Sequence, residues 1–112
     1  MNVLNNVTLV GRLTRDPEVK INKKTKKSRC FITVAVQRSY KNAEGNYDAD
    51  FIDVTVWDQL ADNLGEYCHK GDVVGIRGRI ETSSYDDENG EMKKSTVVIA
   101  EKISFLSSKK ED

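Results

Sequence analysis

Phe51 and Trp57 stand six positions apart in a β-branched run, Ala49 to Trp57 (ADFIDVTVW). In an extended chain, successive side chains point to opposite faces. Ile52, Val54 and Val56 then share one face, and Phe51, Asp53, Thr55 and Trp57 the other. The aliphatic face is the core face, which leaves two large rings on the outer one. Exposure of that kind needs a reason. Planar rings on an outer sheet face can stack on nucleobases, for roughly 1–3 kcal/mol per base. Cover by a helix or another subunit is the competing reading. A second run, Val73 to Thr82, repeats the pattern: Val74, Ile76 and Ile80 form its apolar parity, and Arg77 and Arg79 the opposite one. Two arginines so placed can follow phosphates or lie flat on bases. The plain alternative is a solvated strand face with Glu81 as counter-charge.

Two tyrosines sit in polar surroundings that read as loops: Tyr40 within Arg38-Ser39-Tyr40-Lys41, and Tyr85 within Ser83-Ser84-Tyr85-Asp86. A ring among cations suits single-stranded nucleic acid, which needs a π-face and a positive groove together. Tyr85 has acidic neighbours and is the weaker case; Tyr47 carries no stronger signal. Lys23, Lys24, Lys26, Lys27 and Arg29 form a basic run that is a candidate phosphate-contact loop, although a charge run alone is usually a solvated loop. Each phosphate neutralised releases counterions and steepens the dependence of binding on salt.

Other chemistries lack their residues. His69 is the single histidine, with no evident nucleophile partner, and is expected to cap a helix end. Asp48, Asp50 and Asp53 enter a strand rather than a metal-binding loop. Gly75-Ile76-Arg77-Gly78 lies within a strand and is no phosphate-binding loop. Cys30 and Cys68 lie 38 positions apart, outside any CxxC pair, and a zinc site needs about four ligands. Both read as small buried hydrophobes. No catalytic residue, metal or other cofactor is expected, so the chain reads as a non-enzyme.

The elements that must position these residues are mostly strands. Val7 to Leu13 alternates with period two, and Asp16-Pro17 ends it. Lys20 to Arg29 reads as a strand end and an exposed loop. Cys30 to Arg38, Ala49 to Trp57, Val73 to Thr82 and Ser95 onward, toward Phe105, read as further strands. Asn42 to Asn46 is a turn. Asp87-Glu88-Asn89-Gly90 reads as a hairpin turn of type I′. One helix is expected, Asp58 to Lys70, with Leu60, Leu64, Tyr67 and Cys68 on one stripe, Asp58 as its N-cap and Gly71 at its C-terminal cap.

The order β-β-β-α-β-β is that of an all-β OB-fold: a five-stranded Greek-key barrel with one helix between strands 3 and 4. A five-stranded sandwich with a stray helix is the alternative. A chain of 112 residues suits one domain with its own core. No run of about 18 apolar residues occurs, so no membrane partner is expected, and the N-terminus does not read as a secretory signal. The formal net charge is zero, but its distribution is not even. Residues 1–41 hold ten Lys/Arg against two Asp/Glu, residues 42–72 one against eight, and residues 73–112 seven against eight. Such asymmetry implies a dipolar surface.

The sequence also resembles a known family. Asn6-Val7-Thr8-Leu9-Val10-Gly11-Arg12-Leu13, followed by Asp16-Pro17-Glu18-Val19, is similar to the opening of bacterial single-stranded DNA-binding proteins. Phe31-Ile32-Thr33-Val34-Ala35-Val36, Asp50-Phe51-Ile52, Trp57, Leu60-Ala61, Tyr67, Lys70-Gly71 and Gly78-Arg79-Ile80 continue in the family's order and spacing. The resemblance spans roughly residues 3–106. It implies a homotetramer that wraps single-stranded DNA without sequence preference, in the cytoplasm with the nucleoid, serving replication, recombination, repair or DNA uptake. It also implies that the first strand, around Val3 to Val10, is a pairing edge between subunits. The family's stacking positions fall on Tyr40, Phe51, Trp57 and Tyr85; the first and last are often tryptophan elsewhere. Arg12, Lys23, Lys24, Lys26, Lys27, Arg38, Lys41, Arg77 and Arg79 are the candidate phosphate contacts, with Arg38 and Arg79 foremost.

Residues 1–106 are therefore expected to form the OB-fold domain, and residues 107–112 a short tail. The family usually continues into a long tail with an acidic, apolar tip that recruits repair and replication proteins; this sequence stops at Asp112, as a shortened chain or a natural short form would, which leaves tail-mediated partners doubtful. The Lys23–Arg29 stretch is also richer in lysine than the family's glycine-containing turn. Two other readings stay open: an OB-fold protein-interaction subunit of a primosome-like assembly with weak DNA binding, and an RNA-binding OB domain, which would exploit the 2′-hydroxyl.

Overall fold

The computed structural model describes residues 4–106. The expected tail, 107–112, and Val3 lie outside the described residues. Among the described residues, six strands and one helix follow one another as β1 (Val7–Leu13), β2 (Val19–Ile21), β3 (Ser28–Lys41), β4 (Tyr47–Trp57), α1 (Asp58–Tyr67), β5 (Val73–Asp86) and β6 (Met92–Phe105). The hydrogen-bonded order is β1-β5-β6-β4-β3-β2, and β1 returns to pair with β3 at Arg12 and Leu13. Five strands therefore close into a barrel, with β2 attached to the outside of β3. β4 and β6 run parallel where Val54 and Thr55 meet Val98 and Ile99; the remaining pairs are antiparallel. This is the OB-fold, with α1 between the third and fourth barrel strands.

The interior obeys strand parity. Leu13, Ile32, Val34, Val54, Val56, Val74 and Ile76 are buried, and α1 adds Ala61 and Leu64. Each such aliphatic side chain contributes roughly 1.5–3 kcal/mol by leaving water. Cys30 and Cys68 are buried free thiols within this core, and burial raises the pKa of both. A high pKa disfavours the reactive thiolate.

The helix departs from expectation at both ends. Trp57, not Asp58, is the N-cap, and no side chain caps that end. Asp58 instead turns the chain with φ of 57°, a left-handed conformation that Asp tolerates better than most residues. The helix stops at Tyr67, three residues before Lys70. There, Asp72 accepts the His69 amide at 2.8 Å and Asp16 accepts the Lys70 amide at 2.7 Å, so side chains compete with helical hydrogen bonds. His69 is thus the capped residue rather than the cap. Gly71 is left-handed (φ 91°), but in the turn that leads into β5. Tyr67 leaves the apolar stripe; it is exposed and meets Phe105 at 6.0 Å between ring centroids.

Three hairpin turns share one device. The side-chain oxygens of Asn22, Asn42 and Asp87 each accept two backbone N–H groups from within their own turn. Such Asx turns stabilise a reversal without large side chains. The Asp87 turn is not type I′, which needs positive φ at both central residues. Only Gly90 is left-handed there (φ 78°), and the Asp87 amide bonds the Glu91 carbonyl across a three-residue loop. Strands β3 and β4, and β5 and β6, run on as hairpin arms beyond the core. Tyr40 and Tyr85 accordingly lie in strands, not loops. Ile80 shares parity with Val74 and Ile76 but lies beyond the core and is 44% exposed.

Candidate nucleic-acid interface

The outer face of the β3–β4 pair carries the residues that parity placed there, although Thr55, between Val54 and Val56, is buried rather than exposed. Phe51 lies opposite Ala35, Asp53 opposite Thr33, Thr55 opposite Phe31, and Trp57 opposite Arg29. Phe51 is 67% exposed and Trp57 42%. No residue of α1 lines the hollows around either ring. The two sit about 20 Å apart along the strand, at about 3.4 Å per residue.

Three hollows join along this face. Phe51 borders one with Val7, Leu9, Ile80 and Asp53. That hollow shares Asp53, Thr96 and Val97 with a groove of about 510 Å³, whose walls are Phe31, Thr33, Thr55 and Trp57 on the barrel and Glu81, Ser83 and Ser95 on the β5–β6 arm. Trp57 then divides this groove from a basic pocket of about 380 Å³ formed by Lys20, Asn22, Thr25, Lys27 and Arg29. One ring therefore faces an aromatic, hydroxyl-lined groove on one side and cations on the other. Apolar platforms joined to positive charge are what a flexible polyanion with flat side groups requires.

The expected cations are dispersed. Lys27 borders the basic pocket. Lys23, Lys24 and Lys26 stand on the same β2–β3 turn, exposed, with Lys26 left-handed (φ 66°). Arg12 is in register with Ala35 and hence with Phe51, and its guanidinium donates to the Gly71 carbonyl at 2.9 Å. Arg77 lies elsewhere, in a separate hollow with Thr8, Val10 and Lys102. Lys41 stands over the Tyr47 ring at 5.8 Å. Tyr40 and Tyr85 are exposed on their two arms and do not line the groove, although Tyr85 is two residues from Ser83, which does.

The two foremost arginines already hold carboxylates. Arg38 grips Asp50 in a fork, Nη2 to Oδ1 at 2.8 Å and Nε to Oδ2 at 3.1 Å, with Asp48 at 3.9 Å. The hydrogen bond from Arg38 lowers the pKa of Asp50. Arg79 donates to Glu81 at 2.7 Å and meets Glu101 at 3.5 Å. Asp53 accepts the Thr33 hydroxyl at 2.9 Å. These acids serve as counter-charges and acceptors on the protein's own surface.

Sequence reasoning passed over Phe31, Arg15 and Lys20, all of which border these hollows. For Phe31 the signal was present: Cys30, Ile32 and Val34 are the core parity of β3, so Phe31 must face outward beside Thr55. Arg15 and Lys20 carried no such signal, since their places depend on how β2 folds onto β3.

The model of the single-strand binding protein family matches residues 4–106, the whole of the described chain. The chain belongs to the single-strand binding protein family. Among its relatives is single-stranded DNA-binding protein 1 of Clostridium acetobutylicum, 42% identical over 108 residues that cover 96% of this chain and 98% of the relative. Single-stranded DNA-binding protein B of Bacillus subtilis is 41% identical, with 96% and 94% covered. Single-stranded DNA-binding protein 1 of Lactococcus lactis is 43% identical, with 96% and 71% covered. Family membership agrees with the barrel, the single helix and the outward rings. Among the described residues, no helix is long and apolar enough to cross a membrane.

Proposed function

We propose that this protein binds single-stranded DNA without sequence preference, as a non-enzymatic binder that protects single strands during replication, recombination, repair or uptake. The observation that carries this reading is the position of Trp57 between the groove and the basic pocket. Bases stack on Phe51 and Trp57, and Tyr40 and Tyr85 extend the platform along the arms. Lys27 and its neighbours Lys23, Lys24 and Lys26 take phosphates at the Trp57 end, and Arg12 at the Phe51 end. Arg38, Lys41 and Arg79 serve the arms. Arg77 is reached only by a strand that winds around the molecule. Assembly into a homotetramer fits the same picture: from Val7 to Gly11 the ladder of β1 runs with β5 alone, so its other edge is available to a second copy.

The test is a titration with oligo-dT, following tryptophan emission at several salt concentrations. Trp57 is the only tryptophan, so its emission reports one stacking position. Strong quenching by single strands, little by duplex, and a log–log salt slope of about −0.7 per phosphate contacted are expected. Equal quenching by duplex, or none by either, defeats the reading. Matched DNA and RNA oligomers in competition decide between the sugars.

The Arg38–Asp50 fork makes a second prediction. Asp50 holds the guanidinium that a phosphate would use. Asp50→Asn should raise affinity for oligo-dT about 3- to 10-fold and steepen the salt slope by about 0.7, one phosphate's worth. Lowering the pH acts in the same direction. The pKa of Asp50 is depressed, so the pair is intact above the usual carboxylate range and opens only as pH falls through that lowered value. An unchanged slope in Asp50→Asn would remove Arg38 from the phosphate contacts.

A further inference from the structure

Resting on the single-strand reading above, we infer that Phe31 is an additional base-stacking position, which fills the gap between Phe51 and Trp57. Along the β3–β4 ladder, Phe51 stands at the level of Ala35, Phe31 at the level of Thr55, and Trp57 at the level of Arg29. Phe31 is therefore two residues, about 7 Å, from the level of Trp57 and about 13 Å from that of Phe51. Without it, a strand crossing this face meets no ring for about 20 Å.

The ring is presented rather than packed. Phe31 is 51% exposed while its neighbours Cys30 and Ile32 are buried to within 2%. Its side chain opens into the same groove as Trp57. The Arg29 guanidinium lies 5.0 Å from its centroid. That cation–π contact sets a positive charge over one face of the ring and leaves the other for a base, while Arg29 also borders the basic pocket next to Trp57. Arg15 donates to the Phe31 carbonyl at 3.3 Å, so a second cation stands at the same point of the strand. Across the groove, Ser83, Ser95 and Thr96 supply hydroxyls within the space a stacked base would enter. A ring on β3, Arg29 over it, Arg15 at its backbone carbonyl and hydroxyls across the groove form a slot for one nucleotide. An outer strand position with only a structural duty is served by Thr, a good strand former, without an exposed ring.

The experiment moves the single tryptophan. In a Trp57→Phe background, Phe31→Trp places the only indole at this position, and a fluorescein-labelled oligo-dT reports binding independently by anisotropy. The inference expects the indole emission to be quenched as anisotropy reaches saturation. It also expects Phe31→Ala and Phe31→Leu, in the otherwise unaltered protein, to weaken binding roughly 5- to 100-fold with far-ultraviolet circular dichroism unchanged. Phe31→Leu keeps apolar area but loses the π-face, so affinity retained by leucine and lost by alanine would assign the site to plain burial and overturn the inference. Saturated anisotropy with unquenched emission would also overturn it, while leaving the single-strand reading intact. No anisotropy change with the unaltered protein would defeat the single-strand reading itself, and this inference with it.

Discussion

Trp57→Ala is expected to lower the affinity for oligo-dT by roughly 10- to 100-fold, the largest loss from any single ring. Removing one stacked base contact costs roughly 1–3 kcal/mol, and indole offers the largest surface of the rings present. Trp57 also separates the groove from the basic pocket, so its loss merges the two and leaves Lys27 and Arg29 without a platform to align a strand against. The change removes no charge, so the salt slope should hold while the whole binding curve shifts. It should scarcely affect folding, because the side chain is 42% exposed and lies on the outer parity of β4, with Val56 inside. Fluorescence is lost with the residue, so anisotropy of a labelled oligonucleotide is the measurement, with thermal unfolding as control. Unchanged affinity in a folded variant would return the lead to a protein-interaction role for this barrel.

Much of this arrangement is legible in the residues because a strand's side-chain period is two. Val54 and Val56 inside fix Phe51 and Trp57 outside without knowledge of any neighbour. The same rule exposes Phe31, whose outward place between Cys30 and Ile32 is as plain as that of Phe51. Parity gives out where the core ends. Ile80 keeps the apolar parity of Val74 and Ile76, yet the β5–β6 arm has left the barrel by that point, and nothing in the local sequence marks the exit. Ion pairs were legible only in part. Glu81 is two residues from Arg79 in sequence and was foreseeable as its partner, whereas Glu101 comes from β6. Asp50 reaches Arg38 as a diagonal neighbour across a ladder whose register shifts between Gln37 and Lys41. Such pairs depend on register, which local pattern does not specify. The helix end failed for a similar reason, since the carboxylate of Asp16 that takes the Lys70 amide lies 54 residues away.

Gly78→Ala should destabilise the protein by about 3 kcal/mol and lower its Tm by roughly 10–20 °C, the largest stability effect expected from removing a glycine on the barrel. A Cβ at position 78 would overlap the carbonyl oxygen of Ile99 and stand 2.9 Å from its carbon, both backbone atoms of β6. No side-chain rotation relieves that overlap, so the strands must part. The closeness arises at a bulge. Arg77 pairs with Lys102 and Gly78 with Ala100, which leaves Glu101 as the extra residue on β6, beside Arg79. A bulge bends its strand and re-aims the residues beyond it. Beyond this bulge lies the arm whose Glu81, Ser83, Ser95 and Thr96 wall the groove. Gly75→Ala is the matched control: three residues earlier on the same strand, its nearest contact would be the Leu106 side chain at 3.3 Å, which can move aside. Both glycines read alike within a strand, and only the backbone approach distinguishes them. Thermal unfolding should therefore show a large loss for position 78 and a shift of a few degrees at most for position 75. Equal shifts would mean that β5 and β6 are not in this register. The arm, and with it one wall of the groove beside Phe31 and Trp57, would then lie elsewhere.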